Sequence, residues 1–439
     1  MNHPASGLAG RRVRATAASV LALALGATLA PASAYAQTSP TSPSVAQPAT
    51  LTLRDALSLA AQADPARPGL AARQRAAEAG VRQADVRPNP TLGLMVENLP
   101  TLGGGDILNR TETTLTYEQR LERGGDRPAR TALARAEGDL VVAEAEVALL
   151  DRLEQVQRAW AEALAAEAAV EIARERLDLA EAFSTEVLRR VGAARDPLFA
   201  GARAEAELAQ AQIDFDQAEI TARLTRANLS LFWGGRSDFT LGSSLFEDTS
   251  ASRLEAGPVA PVDLAVFTAR RLIADAQVRV EEARAVADPT VQVGVRHIWD
   301  NEVALVFGGS IPLQRYDRNQ GAIDRARAEG VAAQADSRAF AAEREREILR
   351  LQVQLAARAS EVRRISEETI PQAERAVRLV RDGFARGGFT YNDVMSAQTA
   401  LLQARARRVS VLQEFHNDRA RLERLTGAHA DLVGLEIQP

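Results

Sequence analysis

Four histidines, His3, His297, His416 and His429, are the side chains best suited to hold a soft divalent metal, because the chain contains no cysteine. Zinc-type sites use closely spaced His and Cys, and no two of these histidines stand at such a spacing. His3 lies in a segment expected to be removed and His297 lies within a strand pattern. Each histidine therefore reads as a solvated or packing side chain. Carboxylates are plentiful, but they stand three or four residues from arginines, as in Glu171 with Arg174 and Glu343 with Arg346, which is how an exposed helix face is written. No nucleophile elbow, phosphate loop or metal-ligand run occurs. The residues specify no enzyme, no resident metal and no cofactor, and any cation selectivity is assigned to a partner.

The elements that carry these residues are mostly long helices. Of the 439 residues 25% are charged and only 4% aromatic, a balance that suits coiled coils better than a thick globular core. No lysine is present, so all 53 basic residues are arginines, and a net charge of -5 leaves no general basic field for nucleic acid.

Export is written at the N-terminus. Arg11, Arg12 and Arg14 precede the apolar run Ala15 to Ala30, and "PASAYA" ends in small residues at Ala34 and Ala36, the pattern of a secretory signal over 1–36. The adjacent Arg11 and Arg12 match a twin-arginine signal only in that pair. No cysteine follows, so no N-terminal lipid anchor is expected, and "TSPTSPSVAQPAT" reads as a flexible leader within 37–50. No later segment offers the roughly 18 uncharged apolar residues of a membrane helix. If this exported chain crosses a membrane, it does so by strands.

The chain also repeats itself. "VRPNPTLGLMVENLP" (Val86 to Pro100) has a counterpart in "VADPTVQVGVRHIWD" (Val286 to Asp300), "RLERGGDRPARTALARAE" parallels "PLQRYDRNQGAIDRARAE", and Gly192 falls where Gly387 does. Each copy reads helix, strand, strand, long helix, tip, helix. The first spans 51–233 with strands about 91–99 and 112–121. An inter-repeat loop follows over 234–257, then a second copy over 258–427 with strands about 290–299 and 302–313, and a tail over 428–439.

Within the strands Leu92, Leu94 and Val96 alternate with Thr91, Gly93 and Met95, and Thr113, Leu115 and Tyr117 with Thr114, Thr116 and Glu118. Val291, Val293 and Val295 alternate with Gln292, Gly294 and Arg296, and Val303, Leu305, Phe307 and Ile311 follow across a turn at Asp300 and Asn301. Such lengths approach the ~9 to 11 residues a tilted membrane strand needs. Four strands cannot close a barrel and lipid tolerates no open edge, so a membrane reading requires several chains to share one barrel. A soluble, half-buried sheet is the other reading of the same alternation.

Between strands and tips, Leu149, Val156, Ala163, Val170, Leu177, Ser184 and Val191 repeat every seven residues, with Leu153 and Trp160 on the companion row. Ile348, Leu351, Leu355, Val362 and Ile365 do the same in the second copy, where Pro371 is expected to kink the helix. Two shorter helices, end to end, match each long one in length. Gly124 and Gly125 allow a sharp turn at the first strand exit, Asp126 and Asp317 are candidate helix caps, and Pro128 suits a first turn.

In these motifs the mature chain resembles the TolC-like outer membrane factor family. "RPNPTLGLMVENLP", "TETTLTYEQRLERGGDR" and "IPLQRYDRNQG" look like its CzcC-like heavy-metal efflux branch, and "LTLRDALSLAAQADP" like the family's first helix. The resemblance implies a mainly helical homotrimer with a shared twelve-stranded outer membrane β-barrel on a long periplasmic α-helical barrel, and a mixed equatorial region around the middle of that barrel to which the 234–257 loop belongs. It further implies an exit duct that works with a periplasmic adaptor and an inner-membrane RND pump, exporting heavy-metal cations. Drugs or organic solutes, type I secretion, and outside this class a periplasmic coiled-coil scaffold, are the alternatives. The chain departs from the family in having Asp126 where Lys is usual and in lacking the N-terminal Cys.

By the same resemblance the tips form the periplasmic aperture and the adaptor-docking surface. Val191, Gly192, Arg386, Gly387 and Gly388 are then candidate docking residues, and Phe384, Phe389, Leu198 and Asp393 candidate aperture residues. Gly387 and Gly388 suit the left-handed conformations of a reversal, and Pro197 restarts the first-copy helix. Multidrug relatives carry polar residues at the positions of Phe384, Phe389 and Leu198, so a hydrophobic closure is expected here. Asp393 either completes a ring of carboxylates at the aperture or caps its helix.

Overall fold

The computed structural model describes residues 50–63, 66–98, 111–250, 257–298 and 302–433. The signal, most of the leader, the loop Pro100 to Arg110, the Asp300 and Asn301 turn and the end of the tail lie outside the described residues. In chain order the first half comprises β1 (Thr50–Leu51), α1 (Leu53–Ala63), α2 (Arg67–Ala84), β2 (Thr91–Glu97), β3 (Glu112–Arg120), α3 (Asp126–Gly192), α4 (Leu198–Ser230) and β4 (Thr240–Leu241). The second comprises α5 (Pro261–Arg284), β5 (Thr290–His297), β6 (Val303–Ser310), α6 (Gln320–Arg364), a π turn (Ile365–Thr369), α7 (Ile370–Ala385), α8 (Tyr391–Thr426) and a 3-10 turn (Ala430–Val433). No described helix is long and apolar enough to cross a membrane.

With 67 residues, α3 is about 100 Å long at 1.5 Å per residue. Its seven-residue seam is buried at Val156, Ala163, Leu177 and Ser184 and half-buried at Leu149, Val170 and Val191. Two antiparallel partners run beside it. Along the strand-proximal part lies α2, where Arg130 reaches the Ala84 carbonyl and Gly138 faces Ala77. Along the distal part lies α4, where Gly201 sits against Leu188 and Arg176 pairs with Asp214. The two do not meet. Leu150, Leu153, Val156, Trp160 and Ala163 are instead enclosed by Leu57 and Leu59 of α1, by Trp233, Phe239, Leu241 and Phe246 after α4, and by Val411 and Leu412 of α8. The inter-repeat segment is thus part of a core at mid-helix, tied to β1 by parallel pairing of Thr50 with Thr240 and Leu51 with Leu241.

The second half closes differently. Here α5 and α8 abut, with the Ala260 N–H donating to the Leu425 carbonyl at 2.8 Å, and Val259, Ile348, Leu351, Leu355, Phe415, Leu422 and Leu425 form one cluster. The interruption expected at Pro371 takes the form of the π turn just ahead of it. Proline removes one N–H and crowds the carbonyl four residues back, and a wider turn at Ile365–Thr369 accommodates both effects.

Helix starts correct another expectation. Asp126 and Asp317 do not cap. The N-caps are Gly125 (φ 78°) and Asn319 (φ 57°), both left-handed, and Asp317 accepts the Asn319 N–H at 2.9 Å instead. The chain leaves β3 and β6 by reversals that turn the backbone itself.

Glu171, Arg174, Glu343 and Arg346 are exposed, as their spacing predicts, while other charged residues tie helices together. Arg174 lies over the Phe215 ring and Arg346 turns to the Ala342 carbonyl. Arg405 joins Glu175 of α3 to Glu374 of α7, Arg421 joins Glu154 to Glu347, and Arg358 holds Glu414 and Asp418. A planar guanidinium can bridge two carboxylates from two helices, a geometry the point charge of lysine does not match.

At mid-helix His416 is buried, stacked on Phe246 at 5.3 Å with its edge to Phe415, and its Nε2 lies 2.9 Å from the Phe246 carbonyl. Burial pushes its pKa below the ordinary histidine value, outweighing the Phe246 hydrogen bond. Unfolded chains therefore bind this proton more readily, so stability is full above the ordinary histidine pKa and falls as pH drops from there toward the depressed one. The thermal midpoint should decline over that window, and His416→Gln should flatten the decline. An unchanged slope in the variant would remove His416 as its source.

Candidate functional site

Two surfaces lie at opposite ends of the long helices, and the strands build the first. β2, β3, β5 and β6 form one antiparallel sheet in that order, with β2 and β6 at its edges. Register places Leu92, Tyr117, Val293 and Phe307 in one cross-strand row and Leu94, Leu115, Val295 and Leu305 in the next, all on one face. Every one of these eight side chains is exposed. A soluble half-buried sheet would cover such a face with helix or sheet, and here nothing among the described residues covers it.

The opposite face is polar and small. Its rows read Thr91, Glu118, Gln292, Gly308, then Gly93, Thr116, Gly294, Val306, then Met95, Thr114, Arg296, Ala304. Gly294 allows the close approach of β3, since a Cβ there would lie 2.5 Å from the Leu115 carbonyl oxygen. Glu97 and Glu112 stand directly opposite each other, a repulsive pairing that Arg296 relieves by reaching both, at 3.3 and 3.2 Å. At the other end of the sheet Arg120 and the Arg123 N–H hold the buried Asp288.

The second surface is the pair of helix tips. At the α7–α8 tip Gly387 is left-handed (φ 79°), its N–H donates to Phe384 O at 3.0 Å and that of Gly388 to Gly383 O at 2.8 Å. At the α3–α4 tip the same pattern uses Ala194 (φ 53°), whose N–H donates to Val191 O at 2.9 Å, with Arg195 to Arg190 O at 2.9 Å. Both are Schellman-type stops. Gly192 is helical, so the structural partner of Gly387 is Ala194. Likewise Gly388 is not left-handed, and pairing the two glycines from sequence was a slip of two residues. Pro197 is the N-cap of α4, in extended conformation.

The candidate aperture residues occupy different environments. Leu198 points to solvent, and Phe389 lies over Gly383, where a Cβ would meet its ring. Phe384 turns toward α3, packing on Phe183 with ring centroids 5.6 Å apart and receiving the Arg190 guanidinium at 4.7 Å. Tyr391 joins them, 4.7 Å from Phe183 and beneath Arg203. Burial raises the Tyr391 pKa, and the nearby Glu207 carboxylate adds to the effect. The Asp393 carboxylate accepts the Thr390 N–H at 2.8 Å and its hydroxyl at 2.7 Å, closing a capping box on α8. Those bonds hold its pKa below the usual carboxylate range. Val191, Gly192, Arg386, Gly387 and Gly388 all lie at these two reversals.

Capping is one of the two roles the sequence leaves open for Asp393, and the T-x-x-D spacing is the signal that points to Thr390 as its partner. Phe183 and Arg190 carry no such signal, because their role depends on a helix two hundred residues away in sequence. Among the described residues no group of three or more His, Cys, Asp or Glu could hold a metal ion. The tips offer aromatic and cationic contacts, and the sheet offers an apolar face backed by a polar one.

Known proteins resemble this chain in sequence and in fold. The family profile described as "Outer membrane efflux protein" matches residues 262–428. The cobalt-zinc-cadmium resistance protein CzcC of Cupriavidus metallidurans is 30% identical over 388 residues, covering 86% of this chain and 90% of its own. The nickel-cobalt-cadmium resistance protein NccC of Alcaligenes xylosoxydans is 30% identical over 270 residues, 60% of this chain and 61% of its own. Among solved structures, the outer membrane protein VceC of Vibrio cholerae superposes with a TM-score of 0.65 at 20% identity, over 85% of this chain and 96% of that one.

Proposed function

Because this chain belongs to the outer membrane efflux protein family, we propose that it is the outer membrane exit duct of a tripartite system that exports heavy-metal cations. The observation that carries the reading is the sheet, with one bare apolar face, one polar face and unpaired edges at β2 and β6. An apolar face of this kind fits lipid, and lipid tolerates no free edge. Closing β6 of one copy on β2 of the next removes every edge, and three copies make a twelve-stranded barrel whose polar faces line the lumen. The helices then extend into the periplasm, where the tips meet a periplasmic adaptor and, through it, an inner-membrane RND pump. The duct is passive, and energy coupling and ion choice belong to the pump. The cation class is supported by the names of the two relatives above, with organic solutes as the second reading.

At the tips, Leu198, Phe389 and Asp393 are proposed to line the aperture, with Phe384 setting the position of α7 against α3, and Val191, Gly192, Arg386, Gly387 and Gly388 to form the docking surface. Three measurements bear on these readings. A strain lacking the chain should become sensitive to cobalt, zinc or cadmium and recover on complementation, whereas sensitivity only to organic compounds would move the substrate to the second reading. Purified protein should run as a heat-modifiable trimer, and a monomer without that behaviour would sink the duct. Phe384→Ala and Asp393→Ala should each raise antibiotic leakage, and unchanged permeability in both would remove the aperture assignment.

A further inference from the structure

We propose that the segment Ile311 to Arg318, just after β6, is an interfacial anchor that sits in the phospholipid headgroup layer on the helical side of the bilayer. The inference rests on the duct reading, because it takes the bare strand face to lie in lipid. Alternation that places Val303, Leu305 and Phe307 on that face continues in sequence through Ile311 to Leu313. Leu313 and Tyr316 are 89% and 91% exposed, and no other large apolar residue among those described is as open.

These side chains are held outward by a pinned loop. The Arg315 N–H donates to the Leu313 carbonyl at 2.9 Å, a tight reversal at the point of greatest exposure. At its centre the Gln314 side-chain amide reaches the Arg284 carbonyl at 3.3 Å. Beyond it, the Asn319 amide donates to the Glu281 carbonyl at 2.9 Å and to its carboxylate at 2.8 Å. Both staples are on the end of α5, where helices give way to strands. Between them project Tyr316 and the exposed Arg315, Asp317 and Arg318, with Leu313 just ahead of the first staple and the Arg315 guanidinium over the Tyr316 ring at 5.5 Å.

That set of side chains matches a membrane interface. Aromatic rings with one polar end concentrate at headgroup depth, and arginines extend from apolar surroundings to phosphate oxygens. Two apolar side chains at nearly full exposure, flanked by arginines, fit the headgroup layer better than open water. The occupant is therefore the phosphate-bearing headgroup layer, with Leu313 and Tyr316 dipping toward the acyl chains and Arg315 and Arg318 on phosphates. Such a collar would fix the depth of the strands in the bilayer.

The absence of cysteine makes the test direct. Single variants Leu305→Cys on the strand face, Leu313→Cys and Tyr316→Cys in the segment, and Arg236→Cys in an exposed mid-helix loop each carry one nitroxide in the full chain. The protein is reconstituted in vesicles of phosphatidylethanolamine and phosphatidylglycerol. The ratio of collision with oxygen to collision with an aqueous nickel chelate should be about threefold or more higher at positions 313 and 316 than at 236, and highest at 305. Positions 313 and 316 as aqueous as 236, with 305 in lipid, would overturn the anchor and leave the duct standing. An aqueous 305 would overturn both. Immobile labels at 313 and 316, shielded from both relaxants, would show a neighbouring protein surface there and also overturn the anchor.

Discussion

Leu305→Arg should abolish assembly of this chain in the outer membrane, while Val306→Gln, one residue further on, should be tolerated. The two positions share a strand and differ only in face. Leu305 stands in the exposed apolar row with Leu94, Leu115 and Val295, and Val306 in the polar row with Gly93, Thr116 and Gly294. Arginine near the middle of a lipid-facing strand costs roughly 2–4 kcal/mol, and a trimer places it three times in one barrel. A glutamine on the lumen side meets water and polar neighbours. The yield of heat-modifiable trimer in the outer membrane fraction measures both. Equal yields for the two variants, high or low, would mean that the faces are not distinguished by lipid.

The second large effect is expected at mid-helix. Arg424 is only 5% exposed in its side chain and Asp263 6%, and they form a bidentate pair at 2.9 and 2.8 Å, with Asp151 of α3 on the remaining nitrogen at 2.6 Å. This cluster joins α8 and the start of α5 to the long helix of the other half. Arg424→Met leaves a buried carboxylate without a cation, a loss of about 3–5 kcal/mol. Arg424→Met combined with Asp263→Leu removes both charges and should recover most of the lost stability, because the penalty comes from the stranded partner. Thermal unfolding followed by far-ultraviolet circular dichroism distinguishes the cases. A double variant as unstable as the single one would place the loss in packing rather than in charge.

Much of this architecture is local enough to be read from residues in order. A strand alternates with period two and a helical seam with period seven, so the apolar faces of Leu92 to Val96 and of Val156 to Ser184 announce themselves without any partner. The tips were less legible. Left-handed φ at Ala194 arises from the hydrogen bonds that end α3, and glycine composition pointed two residues away to Gly192. Asp126 and Asp317 had suitable cap chemistry, yet backbone reversals at Gly125 and Asn319 took those positions.

Periodicity and repeat thus define the strands, the long helices and their two-copy order, since each depends on neighbours within a few turns. Folding in three dimensions adds what those neighbours cannot encode. It turns Phe384 onto Phe183, threads Arg405 between Glu175 and Glu374, and makes a core of the segment around Phe239 and Phe246. Each of these joins residues far apart in the chain, and their pairing energy exists only once the helices lie side by side.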